Sequence, residues 1–232
     1  MQIDPLTPID QLTAEYPGTR RLLCQLGVDV MADGAITLRE AALRQGIPVQ
    51  EAARILEPGT RTEPGTQDWL KATKAQLAAH IVSHHHAHTR TELTRLRLLL
   101  DALSETEAAA HPAVVELATH FASLEKDLLA HFQMEEKNLF PAICAAEQGG
   151  PVPISLSTPE EQMQTVLAEH QAVEELVLNI RALTEDYRLP KDGGRELRTL
   201  YLGLRDLEDD LHLHLYLENH LLYPRVLPGE DW

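Results

Sequence analysis

The chain has 232 residues, and its 36 Asp and Glu outnumber its 20 Lys and Arg to give a formal net charge of -16. Such an acidic surface repels phosphate backbones and anionic lipids, so we expect neither nucleic acid nor a membrane as a partner. No apolar run approaches the roughly 20 residues that a membrane span needs, and the first residues lack the basic start and apolar stretch of a signal peptide. We therefore expect a cytoplasmic protein. Its two cysteines, Cys24 and Cys144, are too few for a disulfide framework or a thiolate-rich metal site, so any metal needs nitrogen and oxygen ligands.

The first quarter of the chain has the pattern of a small helical domain. Residues 9–25 and 37–56 show helical spacing of Leu, Ala and Ile, and a turn-like stretch joins them. The following segment, EPGTRTEPGT, contains Pro and Gly residues that cannot continue a helix. We predict a helical domain over residues 1–58, with Cys24 in its core, and a linker over residues 59–69.

Four long periodic stretches follow, and they predict an all-α fold. They cover residues 70–104, 112–148, 159–187 and 193–226 and are separated by segments rich in Pro and Gly. Short breaks between long helices favour antiparallel neighbours, and β-branched runs are absent. We predict an up-down four-helix bundle over residues 70–232.

A repeat lies within this region. Residues 124–141 (LEKDLLAHFQMEEKNLFP) align without gaps on residues 207–224 (LEDDLHLHLYLENHLLYP), with eight identities in 18 positions. Among the identical residues, one polar set recurs in steps of four and therefore follows one face of each helix. The set is Asp127, His131 and Glu135 in the first copy and Asp210, His214 and Glu218 in the second. Leucines flank both stripes, so we expect them near the core-facing side.

Two interpretations of these His and Glu pairs compete. A single such pair on a long helix is most often solvated surface charge. Two copies on apolar faces favour a metal site, because a desolvated carboxylate is costly unless it is paired. A divalent cation that bridges two carboxylates supplies that pairing.

The histidine-rich segment HIVSHHHAH, residues 80–88, belongs to the first long stretch. Three of its histidines share a polar face and are expected to be mostly exposed: His80, His84 and His88. His86 falls in line with Ala79 and Leu93, so it points most clearly at the core. His85 is a weaker candidate for the histidine that points at the core.

The third long stretch has one histidine, His170, within an apolar stripe formed by Met163, Val166, Val173 and Val177. A lone core histidine is more often structural, but here one histidine per helix completes a set of four. Four imidazoles and two carboxylates suit iron or manganese, and two bridging carboxylates suit a pair of ions. Zinc is chemically compatible as well. Iron explains best why no thiolate is used and why positions stay open for a diatomic ligand.

With these residues identified, the chain resembles the haemerythrin-like di-iron family, and more closely its branch that repairs iron–sulfur clusters after nitric oxide or oxidative damage. The resemblance rests on HH followed by Arg at His85, His86 and Arg90, on His131-x-x-x-Glu135 with NLFP, on Glu169-His170, and on His214-x-x-x-Glu218 with LLYP. It implies two irons ligated by His86, His131, His170 and His214 and bridged by Glu135 and Glu218.

The same branch has a small leading domain with a Gly-Ile-Asp-like stretch followed by two adjacent cysteines and a glycine. The segment GVDVMADG at residues 27–34 keeps both glycines and the aspartate but has Met31 and Ala32 in place of the cysteines. Thiol chemistry of that pair is therefore not expected here.

Three further carboxylates lie next to or one turn from an expected ligand: Asp127, Glu169 and Asp210. Each either accepts the second N–H of an imidazole or lines a channel to the metals. The alternative is ordinary surface charge. The remaining histidines are interpreted as structural or surface residues: His111, His120, His212 and His220.

The resemblance implies a di-iron protein that binds nitric oxide or oxygen species and serves iron–sulfur proteins under nitrosative and oxidative stress. Reduction of nitric oxide to nitrous oxide by the ferrous pair is left open. The alternative function is a reversible nitric oxide or oxygen carrier, a sensor, or an iron reservoir without turnover, and the missing cysteine pair favours it. A purely structural protein would leave Glu135 and Glu218 unexplained.

Overall fold

The computed structural model describes residues 3–16, 18–28, 30, 33–57, 69, 71–149, 159–190 and 193–226. The chain divides into two compact units, Met1–Lys71 and Ala72–Trp232. Apart from residue 69, the linker predicted over residues 59–69 lies outside the described residues. The same holds for positions 31 and 32 and for the side chain of Cys24.

The described residues of the first unit form four short helices. They are α1 (Ile9–Glu15), α2 (Gly18–Gln25), α3 (Leu38–Arg44) and α4 (Val49–Leu56). Each of the two predicted helical stretches is thus broken once. Tyr16 precedes a proline in the sequence, which disfavours helical geometry, and it has φ -135° and ψ 80°. Between α3 and α4, Gly46 has a φ of +67° and Pro48 precedes the first residue of α4, so the chain turns before the next helix begins.

In the second unit, the part of the chain that the structure describes forms four long helical segments. The first comprises α5 (Lys74–His80), a π-helical turn (Ile81–His86) and α6 (Ala87–Thr106). The second comprises α7 (Ala113–Met134), a π-helical turn (Glu135–Leu139) and α8 (Phe140–Glu147). The third is α9 (Pro159–Leu183), and the fourth comprises α10 (Arg195–Tyr216), a π-helical turn (Leu217–Leu222) and a 3-10 turn (Tyr223–Arg225).

These segments form the core of the second unit. Helix α7 packs against α6 and α9, and α6 packs against α10. Their leucine, valine and phenylalanine side chains are buried along the facing stripes. The predicted all-α bundle is confirmed. Among the described residues, no helix combines the length and the apolar character needed to cross a bilayer.

The third segment ends earlier than predicted, at Leu183 instead of residue 187. Three consecutive residues, Glu185, Asp186 and Tyr187, have φ values of 47°, 63° and 57°. This left-handed conformation is unfavourable for residues other than glycine and cannot continue a right-handed helix.

The π-helical turns explain why one prediction made from the helical spacing, the alignment of Ala79 with His86, is wrong. Proline lacks an N–H and clashes with the carbonyl four residues earlier, and wider turns precede Pro141 and Pro224. A third such turn separates Ala79 from His86 and shifts the phase between them. Ala79, expected in line with His86, is therefore exposed, and His85 and His86 are both buried.

The contact between α6 and α10 gives a test of the packing. A Cβ added at Gly203 would lie 2.6 Å from Cδ2 of Leu96, a fully buried side chain, and would also meet the guanidinium of Arg95. We expect Gly203→Val to lower the free energy of unfolding of the metal-free protein by about 2 kcal/mol in urea denaturation. Leu202→Val, at the neighbouring position that is 42% exposed, is the control and should change it by less than about 0.5 kcal/mol. Equal effects of both variants would contradict this packing.

Candidate metal centre

Four imidazoles from the four bundle segments meet in the core as two pairs. Nε2 of His86 lies 3.2 Å from Nε2 of His214, and Nε2 of His170 lies 3.2 Å from Nε2 of His131. All four side chains are buried. The helical phase of α7, α9 and α10 directs His131, His170 and His214 into the core. The π-helical turn that ends at His86 does the same for the fourth histidine.

Two fully buried carboxylates lie between the pairs. Oε1 of Glu218 is 2.8 Å from Nε2 of His214, and its Oε2 is 3.3 Å from Nε2 of His170. Oε2 of Glu135 is 3.2 Å from Nε2 of His131 and 3.4 Å from Nε2 of His86. Both carboxylates therefore contact both pairs.

The six residues form two overlapping sets of metal-ligand geometry. One set is His86, Glu135, His214 and Glu218, and the other is His131, Glu135, His170 and Glu218. Within each set, one ligand atom from every residue lies within 4.8 Å of the others. The structure thus brings together all six residues that the sequence nominated as ligands, in two positions that share both carboxylates.

The donors fit a metal. Oε2 of Glu135 and Oε2 of Glu218 are buried without a hydrogen-bond partner among the described residues. Imidazole nitrogens 3.2–3.4 Å away offset the cost of burying these oxygens only in part, and a cation between the imidazoles would supply the missing interaction. A set of imidazole and carboxylate donors without thiolate suits iron.

Proton binding in the metal-free core is unequal. Burial disfavours the charged form of His131, but the charges of Glu135 and Glu218 and hydrogen bonds to Glu135 and Glu169 together outweigh burial and raise the pKa of His131 to about 10. Burial instead dominates at His214 and lowers its pKa. Burial alone would raise the pKa of Glu218, yet His214 and His170 hold it well below its usual range. The core therefore contains ionised carboxylates and retains a proton on His131.

Outer hydrogen bonds orient three of the four imidazoles. Nδ1 of His86 lies 2.8 Å from Glu136, and Nδ1 of His131 lies 2.9 Å from Glu169. Nδ1 of His170 lies 2.9 Å from Oδ1 of Asn219. A partner of this kind fixes the ring and its tautomer, so that Nε2 is left to bind a metal. Nδ1 of His214 has no partner among the described residues.

Arg90 completes the surroundings of His86. Its guanidinium donates to Glu136 at 2.8 Å and lies 5.2 Å from the ring centre of Phe132. Phe132 in turn stacks on His86 with ring centres 4.1 Å apart. The Arg in the histidine motif of the sequence thus holds the carboxylate that holds the imidazole.

The other sequence candidates fall into different places. Glu169 contacts the imidazole of His131, as described above. Asp210 lies 2.9 Å from Nδ1 of His85, which belongs to neither ligand set. Asp127 is 44% exposed and lies 3.9 Å from Lys126. Neither ligand set includes His111, His120, His212 or His220.

Sequence reasoning missed Glu136, Asn219 and Tyr223. Glu136 and Asn219 occupy the same position of the repeat, directly after the carboxylate of each copy. Tyr223 was aligned with Phe140, and its hydroxyl donates to Oε1 of Glu135. The signal that could have drawn attention to these residues was their position in the repeat. Their roles, however, depend on contacts between helices, which the repeat does not show.

A helical bundle with a buried cluster of His and Glu side chains defines the class of this protein, a helical metal-binding protein. The Hemerythrin HHE cation binding domain matches residues 77–226, and this chain belongs to that family.

Named relatives extend the similarity over almost the whole chain. The "Iron-sulfur cluster repair protein YtfE" of Edwardsiella ictaluri is 30% identical over 226 residues, which cover 95% of this chain and 96% of the relative. The protein of that name from Cronobacter sakazakii is also 30% identical, with 96% and 97% covered. The one from Escherichia coli O157:H7 is 28% identical over 230 residues, with the same coverage.

Removal of a shared carboxylate tests the cluster. Glu135→Ala deletes a donor common to both ligand sets, so we expect the purified protein to lose at least about half of its iron, measured by elemental analysis. Asp127→Ala removes an exposed carboxylate from the same segment and is the matched control, which should keep its iron. Full iron occupancy in the Glu135 variant would show that the ligand assignment is wrong.

Proton release gives a second test. At pH 7 His131, with a pKa of about 10, is protonated, whereas the carboxyls of Glu135 and Glu218, with lowered pKa values, are already ionised. A metal ligand must lose its proton, so metal uptake should release about one proton from His131. Calorimetric titration of the metal-free protein with zinc, in buffers of different ionisation enthalpy, measures that number. A heat independent of the buffer would contradict it.

Proposed function

We propose that this chain is a cytoplasmic non-haem di-iron protein that binds nitric oxide or oxygen species and takes part in the protection or repair of iron–sulfur clusters under nitrosative and oxidative stress. The observation that carries the proposal is the pair of ligand sets that share Glu135 and Glu218. His86 and His214 would hold one iron, and His131 and His170 the other. Both carboxylates would bridge the two ions.

The donor count supports binding of a small ligand. Each set offers two imidazoles and two carboxylates, which leaves positions open on an ion that accepts five or six donors. A ferrous pair supplies such open positions and two electrons. The protein residues orient the ligand atoms and exclude water, since the surrounding leucine, phenylalanine and valine side chains are buried.

Similarity supports the connection with iron–sulfur clusters. The relatives named as iron–sulfur cluster repair proteins match over 95–96% of this chain, so the likeness includes the first unit as well as the bundle. Iron–sulfur proteins are therefore the partners we propose. The low cysteine count supports a cytoplasmic location.

A second candidate function rests on a specific feature of the sequence. Met31 and Ala32 stand where the repair branch has adjacent cysteines, so thiols of that pair cannot deliver electrons or accept iron here. The bundle alone is sufficient for reversible carriage or sensing of nitric oxide or oxygen, or for storage of iron.

Two measurements test the proposal. Protein produced with iron should contain about two irons per chain by elemental analysis, because the two ligand sets offer two positions. Anaerobic addition of nitric oxide to the reduced protein should then change its visible absorption at about one or two molecules per iron pair. A metal-free protein, or a reduced protein whose spectrum nitric oxide does not change, would contradict the proposal.

The same experiment separates turnover from carriage. Reduction of two nitric oxide molecules to one nitrous oxide consumes two electrons and two protons and releases one water. Nitrous oxide in the headspace, measured by gas chromatography, would indicate reductase-like activity. Recovery of nitric oxide on purging, without nitrous oxide, would favour the carrier or sensor.

A further inference from the structure

The two ligand sets are related by an approximate two-fold symmetry that follows from the sequence repeat. His131 and Glu135 in one copy correspond to His214 and Glu218 in the other. The ring centres of His86 and His214 are 4.9 Å apart at 70°, and those of His131 and His170 are 4.8 Å apart at 71°. His86 and His170 therefore occupy equivalent places.

The aromatic residues at the end of each repeat obey the same symmetry. The ring of Phe140 lies 6.0 Å from that of His86 at 18°, and the ring of Tyr223 lies 6.2 Å from that of His170 at 21°. The difference between them is one hydroxyl group. Tyr223 uses it to donate a hydrogen bond to Oε1 of Glu135, and Phe140 has none to offer Glu218.

The two carboxylates also depart from the symmetry, and they do so where the hydroxyl group of Tyr223 lies. Glu218 directs one oxygen to each histidine pair, with Oε1 near His214 and Oε2 near His170. Glu135 directs a single oxygen, Oε2, to both pairs. Its other oxygen is the one that Tyr223 binds. The asymmetry of the carboxylates thus coincides with the one hydroxyl that differs between the repeats.

We propose that Tyr223 is a positioning residue that holds Glu135 with one oxygen toward the two metal positions and keeps Oε1 away from them. This inference rests on the proposed di-iron function and deepens it. A lone pair engaged by a buried phenol is a poorer ligand, so Oε1 is restrained from binding a cation. The ring of Tyr223 lies beside that of His170, with centres 6.2 Å apart, so the coordination position kept free would belong to the ion that His131 and His170 would hold. A diatomic ligand would enter there.

The chain offers a matched set of variants. Tyr223→Phe removes only the hydroxyl, and Phe140→Tyr adds one at the symmetric place. The double variant, Phe140→Tyr with Tyr223→Phe, moves the hydroxyl from one carboxylate to the other. Tyr201→Phe removes a phenol from a buried residue near the opposite end of α10 and controls for the general loss of a hydroxyl.

Iron content and Mössbauer spectra of the ferrous protein loaded with iron-57 test the proposal without nitric oxide. We expect Tyr223→Phe to keep its iron and its melting temperature but to change the quadrupole doublet of one iron, as that ion gains a carboxylate oxygen. The double variant should change the doublets in a different way from the single variant, because the restrained oxygen then belongs to Glu218. Tyr201→Phe should match the unaltered protein.

Ligand kinetics supply a second readout. Nitric oxide association with the reduced Tyr223→Phe variant should be slower by about tenfold. A hydrogen bond to a charged group typically changes an equilibrium by at least that factor, so its loss would leave Oε1 on the ion, in the position of the incoming ligand, for most of the time. Doublets and association rates equal to those of the unaltered protein would overturn the proposal, and so would loss of iron, which would make Tyr223 a requirement for metal binding. Unaltered protein that binds no nitric oxide would overturn the proposed function alone. If the protein takes no iron, the visible spectrum of the cobalt(II) form reports coordination number and tests Tyr223 independently.

Discussion

The arrangement of this bundle depends on two carboxylates, Glu135 and Glu218, buried completely among four imidazoles. Removing a carboxylate from water is costly, and side chains facing it from four helical segments must offset that cost. In the metal-free core, the charged form of His131 and hydrogen bonds from neighbouring imidazoles do so in part. Carboxylate oxygens that remain without a hydrogen-bond partner among the described residues indicate where a cation would bind.

The repeat supplies a two-fold arrangement, and its mismatches make the two halves different. Glu136 accepts from His86, whereas the equivalent Asn219 meets His170. An ionised acceptor makes an imidazole a stronger ligand than an amide does, because it stabilises positive charge on the ring. Tyr223 and Phe140 differ by a hydroxyl, and that hydroxyl reaches a shared carboxylate. Unequal halves would suit the proposed binding of one small ligand at a pair of ions, because only one ion would then need an open position.

The two units of the chain carry different kinds of support for function. The second unit has the family match and the complete His and Glu cluster. The first unit shares the overall similarity to the cluster repair proteins, but its sequence has Met31 and Ala32 where thiols are expected. The proposed binding of iron and of a small ligand rests on side chains that are present. For the proposed repair of iron–sulfur clusters, the thiol pair that the family resemblance implies is missing.

The sequence by itself predicted the helical class, the repeat and six candidate ligands, with His85 left as a rival to His86, because spacings of four and the apolar stripes around His131 and His170 are local properties of a helix. Only the tertiary structure decided which groups these residues contact and how their side chains are oriented. The π-helical turn before His86 changed the phase predicted from Ala79, and Asp210 faces His85 rather than a member of the cluster. The roles of Glu136, Asn219 and Tyr223, and the different orientations of the two carboxylates, arise from contacts between segments far apart in the chain. A single-helix pattern contains no information on such contacts, since they depend on how the helices pack against one another.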